Sequence, residues 1–404
     1  MSVAETMPIA DSIQSVRAKA NLFLESNAFP SNRDEEWRFT ALRKYVGGEL
    51  SFTPIENNTV VTLPPFYHQC KGTKIVLHNG LLDEKNSVIE ADGFTLNSSE
   101  AALLKLDTAI VSPNYFTAFN SANFQSSLTI EITGNPTSPI SIFHIIDSES
   151  TVLPRLLIQA NKNTNATINE LYFDNTTAAK VVAVSEVFVE NNAAVYFNSV
   201  VVNNPNLALI NTLEAHCERD GRFYHASYIS ESKFVRNNIH ARLDAENSYA
   251  SLSGFYGTKD ENLVDNHVLI DHRKPNCESH QLFKGLLDGK STGVFNGKIM
   301  VHLDAQKTNA FQSSKAVLLS DTATIQSKPQ LEIFADDVKC SHGAAIGQMN
   351  KNEIFYFKAR GIDEATAKAI LNFAYTAEVL EKITDETLRT FLMERLKAQT
   401  GIEY

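Results

Sequence analysis

AVYFNSVVV, residues 194–202, is a β-branched and aromatic run with polar turn residues on both sides, Asn191-Asn192 before it and Asp220-Gly221 after it. Such a run reads as a strand bounded by turns. The signature recurs outward in both directions: SLTIEI (127–132), SIFHII (141–146) and LLIQA (156–160) precede it, and SKAVLL (314–319) follows. No helical pattern long enough for a crossover separates these runs, so βαβ units are not expected. The breaks are periodic. Asn161-Lys162-Asn163, Asn191-Asn192, Asp220-Gly221 and Glu246-Asn247 fall about 26–30 residues apart; Asp288-Gly289-Lys290, Gln306-Lys307-Thr308, Asp321-Thr322 and Asp336-Asp337 fall about 15–18 apart. This spacing suggests a solenoid whose coil is about thirty residues in two halves, or a shorter coil near the end. Short strands that cannot bury a face alone must stack on their neighbours. A β-sandwich, with strands every 8–12 residues, is the competing architecture, and the spacing favours the solenoid.

Helical patterns flank this body. In IADSIQSVRAKANLFLESNAFP (9–30), Ile13, Val16, Ala20, Leu22 and Phe23 recur near a 3.6 period and Pro30 marks the stop. DEEWRFTALRKYV (34–46) reads as a second short helical stretch closed by Gly47-Gly48. The segment 51–127 is mixed, with strand candidates such as KIVLHNG and many turn residues. At the other end EIFYFKA (353–359) reads as a strand. DEATAKAILNFAYTAEVLEKI (363–383) then places Ile370, Phe373, Ala374, Ala377 and Leu380 on one stripe. TDETLRTFLMERLKAQTG (384–401) begins with Thr384 or Asp385 as N-cap, carries Leu388, Phe391, Leu392 and Leu396 on one face and ends at Gly401. The organisation expected is a helical region over 1–50, a mixed segment over 51–127, a β core over 128–350 and a helical tail over 351–404.

Bulk composition narrows the function. The 404 residues carry a net charge of −11, with 43% hydrophobic and 21% charged residues. A general binder of nucleic acid or of anionic membrane wants a basic surface, so neither partner is expected. The four cysteines, Cys70, Cys217, Cys277 and Cys340, lie far apart with no C-x-x-C, which suggests neither a disulfide framework nor a self-contained zinc site. With no basic-then-apolar leader in MSVAETMPIADSIQ and no long apolar run, a reduced, cytoplasmic setting is the expectation. No G-x-x-x-x-G-K-[ST] and no G-x-S-x-G occurs, so neither a P-loop ATPase nor a nucleophile-elbow hydrolase is indicated.

The chemistry-bearing residues concentrate in ADDVKCSHGA, residues 335–344. Cys340 and His342 stand at i and i+2, on one face of an extended strand. Thiolate and neutral imidazole both suit iron, yet two donors make half a site, and the rest must come from another segment or chain. Taken alone, a packed thiol and a surface histidine are the ordinary reading. Asp336 and Asp337 would point to opposite faces of a strand, so a corner role is expected rather than an acid/base pair. HCERDGRFYH (216–225) and NHVLIDHRKPNCESH (266–280) hold five histidines and two cysteines, but at spacings that match no established zinc pattern. A β-helix polysaccharide-active enzyme is the alternative function, and it lacks a visible cluster of Asp, Arg and Lys.

PQLEIFADDVKCSHGA, followed by EIFYFKARGI and an amphipathic helix, resembles the SufB/SufD family of iron–sulfur cluster assembly scaffold proteins, with DEEWRFT as a supporting match near the start. The SufB branch typically has Glu directly after the corresponding histidine, whereas Gly343 follows His342 here, so the resemblance is to the SufD side. It implies a right-handed parallel β-helix core flanked by N-terminal and C-terminal helical regions, and a non-catalytic role in a complex with SufB and two copies of the ATPase SufC. SufC docks on the C-terminal helices in such complexes, here the helices carrying Ile370, Phe373, Leu388 and Phe391, with internal packing the competing reading for Phe373 and Phe391. The β-helices of SufB and SufD meet at the site of cluster assembly. His342 matches the family's functional histidine there and Cys340 a neighbouring cysteine, as transient ligands of iron or a cluster. No permanently bound cofactor is expected; flavin binding and a homodimer in isolation stay open.

Overall fold

The computed structural model describes residues 11–90, 92–96, 105–110 and 112–400. Its centre is a parallel β-solenoid of about eight turns, with helices toward both ends of the chain. Each coil gives one strand to each of two facing sheets. One sheet runs from Thr73–His78 through Ile140–Ile146 and Asn165–Asp174 to the first half of Ala194–Cys217. It continues through the first half of Arg222–Leu243, then Tyr249–Thr258, Glu278–Leu287 and Asn309–Leu318, to Lys339–Gln348. The other runs from Leu128–Ile132 through Arg155–Ala160, Lys180–Val189 and the second halves of the two long strands. It ends in Leu263–His272, Thr292–Val301 and Thr324–Ile333. All these neighbours pair in parallel, which excludes the antiparallel sandwich.

The break residues are the corners of the coil. Asn163, Asn192, Asp220, Asn247, Asn276 and Lys307 all have φ between 58° and 62°. Asn and Asp tolerate this left-handed region better than other non-glycine residues. Each donates its N–H to a carbonyl of the next coil, Asn163 to Asn191, Asn192 to Arg219 and so on to Lys307 with Asp337. A second left-handed corner, at Asn203, Glu231, Asp260 and Gly289, lies half a coil away. The late breaks at half the spacing mix the two corners, and no shorter coil exists there. From Leu128 onward, partners stay between 26 residues apart (Ala208 opposite Phe234) and 32 (Thr292 opposite Thr324).

Alternate side chains fill the space between the sheets. Val195, Phe197, Phe223 and Leu252 from one meet Leu213, Ile239, Val268 and Ile270 from the other. Each outer face is covered as well. Helices Glu364–Leu380 and Glu386–Thr400 bring Val379, Leu380, Leu388, Phe391 and Leu392 onto Phe143, Leu171, Val200, Tyr228 and Phe255. On the opposite face Ile13, Phe29, Trp37, Leu42 and Tyr45 cover Val182, Ile210, Phe234 and Leu263. Burial of each such large side chain stabilises the fold by roughly 1.5–3 kcal/mol. Among the described residues no helix is long and apolar enough to cross a membrane.

Several local expectations change. EIFYFKA is not a strand: Lys351–Lys358 is a helix, started by the Asn350 side chain accepting from the Asn352 N–H and followed by Gly361 at φ +81°. The buried stripe of the following helix is Ala369, Thr376, Val379 and Leu380, while Ile370 and Phe373 are half-buried and Ala374 is exposed. Buried Lys284 sets this rotation, donating to the Tyr375 carbonyl at 2.8 Å and pairing with Glu378. Leu388, Phe391, Leu392 and Leu396 do share one buried face, and Asp385 is the N-cap, accepting from Thr387 and Leu388 N–H groups. Gly401, read as the stop, lies outside the described residues. In the first helix, Asp11–Ser26, Ile13 and Ala20 are buried but Leu22 faces solvent.

Candidate functional site

The two ends of the solenoid are built differently. At the start, antiparallel Leu81–Leu82 pairs with Thr73–His78 and antiparallel Phe94–Leu96 pairs with Leu128–Ile132. Additions of this kind blunt a sheet edge. At the other end Thr324–Ile333 and Lys339–Gln348 are each hydrogen-bonded into their sheets on one side only. Large apolar side chains stand exposed around them, among them Phe334 (62%) and Ile346 (51%).

Cys340 and His342 sit on that terminal strand, opposite Ala310 and Gln312. Ala310, Gln312, Ser314 and Ala316 are the buried, inward set of the strand beneath. By register Cys340, His342, Ala344 and Ile346 are the inward set of the last coil, lying open because no further coil covers them. An element pairing with the free edge of this strand would lie over the Cys340 and His342 side chains. Cys340 is half-buried against the cluster of Ile299, Val301, Ala305, Ala310 and Ala335. Burial pushes its thiol up, opposed by a hydrogen bond from the Ala310 backbone, so a metal ion would have to displace the proton. His342 is exposed and borders a groove of about 620 Å³ shared with Tyr249, His280, Phe311, Ser341 and Lys382. Among the described residues no group of three or more His, Cys, Asp or Glu is arranged to hold a metal. Cys340 and His342 supply two donors, and any completion comes from outside this chain's described residues.

Asp336 and Asp337 form the corner before this strand, where Asp337 takes the Lys307 N–H on its carbonyl at 2.6 Å. Among the other histidines, His216, His225 and His272 serve the interior and His267 the N-terminal clamp. His225 shares a hydrogen bond with the Phe197 carbonyl and His272 with the Ser279 hydroxyl, and burial pushes both imidazoles down to about 4. Burial takes His216 down to about 4 also, and its Nε2 bonds the Ala109 carbonyl. Nδ1 of His267 meets Glu36 and Nε2 meets Asp265. Cys277 is buried against Ser248 while His280 pairs with Glu278 outside, so Cys277 and His280 do not converge. Of the residues assigned to partner docking, Leu388 and Phe391 are buried, Phe391 with its ring 4.8 Å from that of Phe66. Phe373 packs half-buried against the same cluster, and Ile370 is half-buried. Among the described residues the tail's exposed aromatics are instead Phe355 (71%) and Tyr356, which the strand reading of 353–359 concealed.

A scan against family models matches residues 143–375, more than half of the chain, to the SUF system FeS cluster assembly, SufBD core domain. The chain belongs to the SufBD family. The iron–sulfur cluster assembly protein SufD of Escherichia coli (strain K12) is similar to it, 34% identical over 177 residues. That match covers 44% of this chain and 42% of the E. coli protein, so less than half of that relative's length is spanned. A SufBD family protein of Synechocystis is 27% identical over 409 residues, 93% of this chain and 89% of the relative. Protein ABCI7, chloroplastic, of Arabidopsis thaliana is 34% identical over 209 residues, 51% of this chain and 44% of that one. SufBD membership and the parallel solenoid between helical regions agree with the resemblance drawn from ADDVKCSHGA and DEEWRFT; nothing in the fold or the relatives favours a polysaccharide-active enzyme.

Proposed function

We propose that this SufBD chain is a SufD-like, non-catalytic subunit of an iron–sulfur cluster assembly complex whose open solenoid end joins the corresponding end of a SufB partner. The observation that carries this reading is the pairing of two features at one place. The only solenoid end left unpaired among the described residues is the end bearing His342 and Cys340. An unpaired parallel edge with exposed Phe334 and Ile346 calls for a partner, and a partner stacked there comes to lie over both donors. His342 then offers a neutral nitrogen to iron or to the nascent cluster, which is cargo, and Cys340 a sulfur once its proton is lost. The C-terminal helices carry the SufC ATPase, with Phe355 and Tyr356 as the exposed contact and Leu388 and Phe391 holding the helices to the solenoid.

The test is anaerobic purification of the complex of this chain with SufB and SufC, carrying His342→Ala. Assembly at wild-type yield with reduced iron and sulfide content is the expected result. Full cluster loading would make His342 a structural residue and overturn the site.

A further inference from the structure

Beneath His342 the inward column of the last coils is polar. Gln281, Gln312 and His342 stand directly opposite one another on successive strands. Both glutamines are buried, Gln312 to 3% exposure. The first amide is oriented by the opposite sheet, since Gln281 Nε2 donates to the Lys298 carbonyl at 3.3 Å. A carbonyl only accepts, so Gln281 must present its own oxygen to the next coil. Gln312 Nε2 donates to that oxygen at 2.6 Å. The second amide is thereby oriented too, and its Oε1 is buried with no hydrogen-bond partner. A buried acceptor left unpaired is destabilising, because it has given up water without a replacement donor. Room for this arrangement comes from Gly297 on the facing sheet, where a Cβ would lie 2.4 Å from Gln312 Nε2.

We propose that Gln312 is a positioning residue for His342, its Oε1 accepting the N–H of one imidazole nitrogen and so leaving the lone pair of the other free for iron. The inference rests on the reading of His342 as a ligand and adds what sets its tautomer. The imidazole is exposed and not bonded to Gln312 in this structure; one strand spacing, about 4.8 Å, separates the two backbones, and rotation about the histidine side-chain bonds closes the gap. Metal-ligating histidines almost always donate their second N–H to an acceptor, and this fixes both tautomer and ring orientation. Here every donor in the chain His342, Gln312, Gln281 points the same way, ending on the Lys298 carbonyl, an arrangement in which each bond polarises the next.

The full chain labelled with ¹⁵N-histidine tests this by the ring nitrogen shifts of His342, assigned by their loss in His342→Ala, at about pH 8 where an ordinary imidazole is neutral. One dominant tautomer is expected in the wild type and a mixture in Gln312→Leu. Gln281→Leu, which touches nothing near His342 but frees the Gln312 amide to turn over, also gives a mixture, and decides the matter alone if Gln312→Leu does not fold. Unchanged shifts in a folded Gln312→Leu or Gln281→Leu chain overturn the proposal. Tautomer dependence on Gln312 together with full cluster loading by a His342→Ala complex would sustain the positioning and remove the ligand role instead.

Discussion

The guanidinium of Arg236 lies 4.3 Å from the centre of the Trp37 ring. The same group donates to the Glu36 carbonyl at 2.9 Å and to the buried Asp265 carboxylate at 2.6 Å. It is the clamp by which DEEWRFT is held on the outer face of the sheet that carries Leu263–His272, with Thr40 donating to Asp265 and His267 bridging Asp265 and Glu36. Burial would raise the Asp265 carboxyl, but Arg236, His267 and Thr40 together hold it well below the usual range. Arg236→Leu leaves a buried carboxylate without its main partner, at a cost of about 3–5 kcal/mol. The sign with pH follows. A depressed carboxyl stabilises above its unfolded pKa and loses that effect as pH falls through the folded value, so the wild type keeps it down to strong acid. In the variant burial dominates, the carboxyl rises, and protonation relieves it, so the gap in urea midpoint between the two proteins should narrow from pH 7 to pH 5. A constant gap would mean that Asp265 is paired adequately without Arg236.

His225 and His272 predict a separate acid sensitivity. Both are buried and pushed down to about 4. Between the ordinary imidazole value and about 4 the unfolded chain binds more protons than the folded one, so stability falls as pH drops through that window. Denaturation midpoints measured from pH 7.5 to pH 4.5 should decline, and replacing His272 by Gln should flatten the decline. An identical slope in the variant would show that His272 is protonated alike in both states.

What the sequence disclosed was the corners, because a left-handed backbone restricts residue choice and so leaves Asn, Asp or Gly at most breaks, as at Asn163, Asn192 and Asp220, with Glu231 and Lys307 the exceptions. The columns along the solenoid were not legible. Coil length varies between 26 and 32 residues, so counting back from His342 does not identify Gln312 without the register. EIFYFKA misled because its β-forming composition outweighed a local signal, the Asn350 cap. The buried stripe of Glu364–Leu380 was misplaced because the helix packs through small Ala369 and Thr376 and is held by Lys284, none of which stands out as apolar pattern.

The tail should separate by exposure. Phe391→Ala removes a side chain buried against Phe66 and the sheet face of Phe143 and Leu171 and should cost about 3–5 kcal/mol, lowering the melting temperature while folded molecules still bind SufC. Phe355→Ala with Tyr356→Ala should leave the melting temperature within a degree or two and weaken capture of SufC at least several-fold. Deleting 363–404 is a poor substitute, since it uncovers Phe143, Leu171, Val200, Tyr228 and Phe255 together; the truncated chain should aggregate on size-exclusion chromatography. A monodisperse truncated chain would mean that the tail contributes little to covering that face.

The open end gives the last prediction. Ile346 follows Cys340 and His342 on the inward face of the terminal strand, and Phe334 lies just past the end of the other unpaired strand, both exposed. A partner coil stacked there would bury both, so Ile346→Lys or Phe334→Asp would place a charge in a desolvated joint without a counter-charge. Because neither side chain is buried in the single chain, each variant should melt within about a degree of wild type, as surface substitutions usually do. Association with SufB, followed by size-exclusion chromatography with light scattering, should weaken by ten-fold or more, and cluster loading should fall with it even though His342 and Cys340 are untouched. Loss of association with loading retained in the residual complex would still place the joint at this end. Undiminished association in both variants would move the joint elsewhere on the molecule, and with it the shared site at His342.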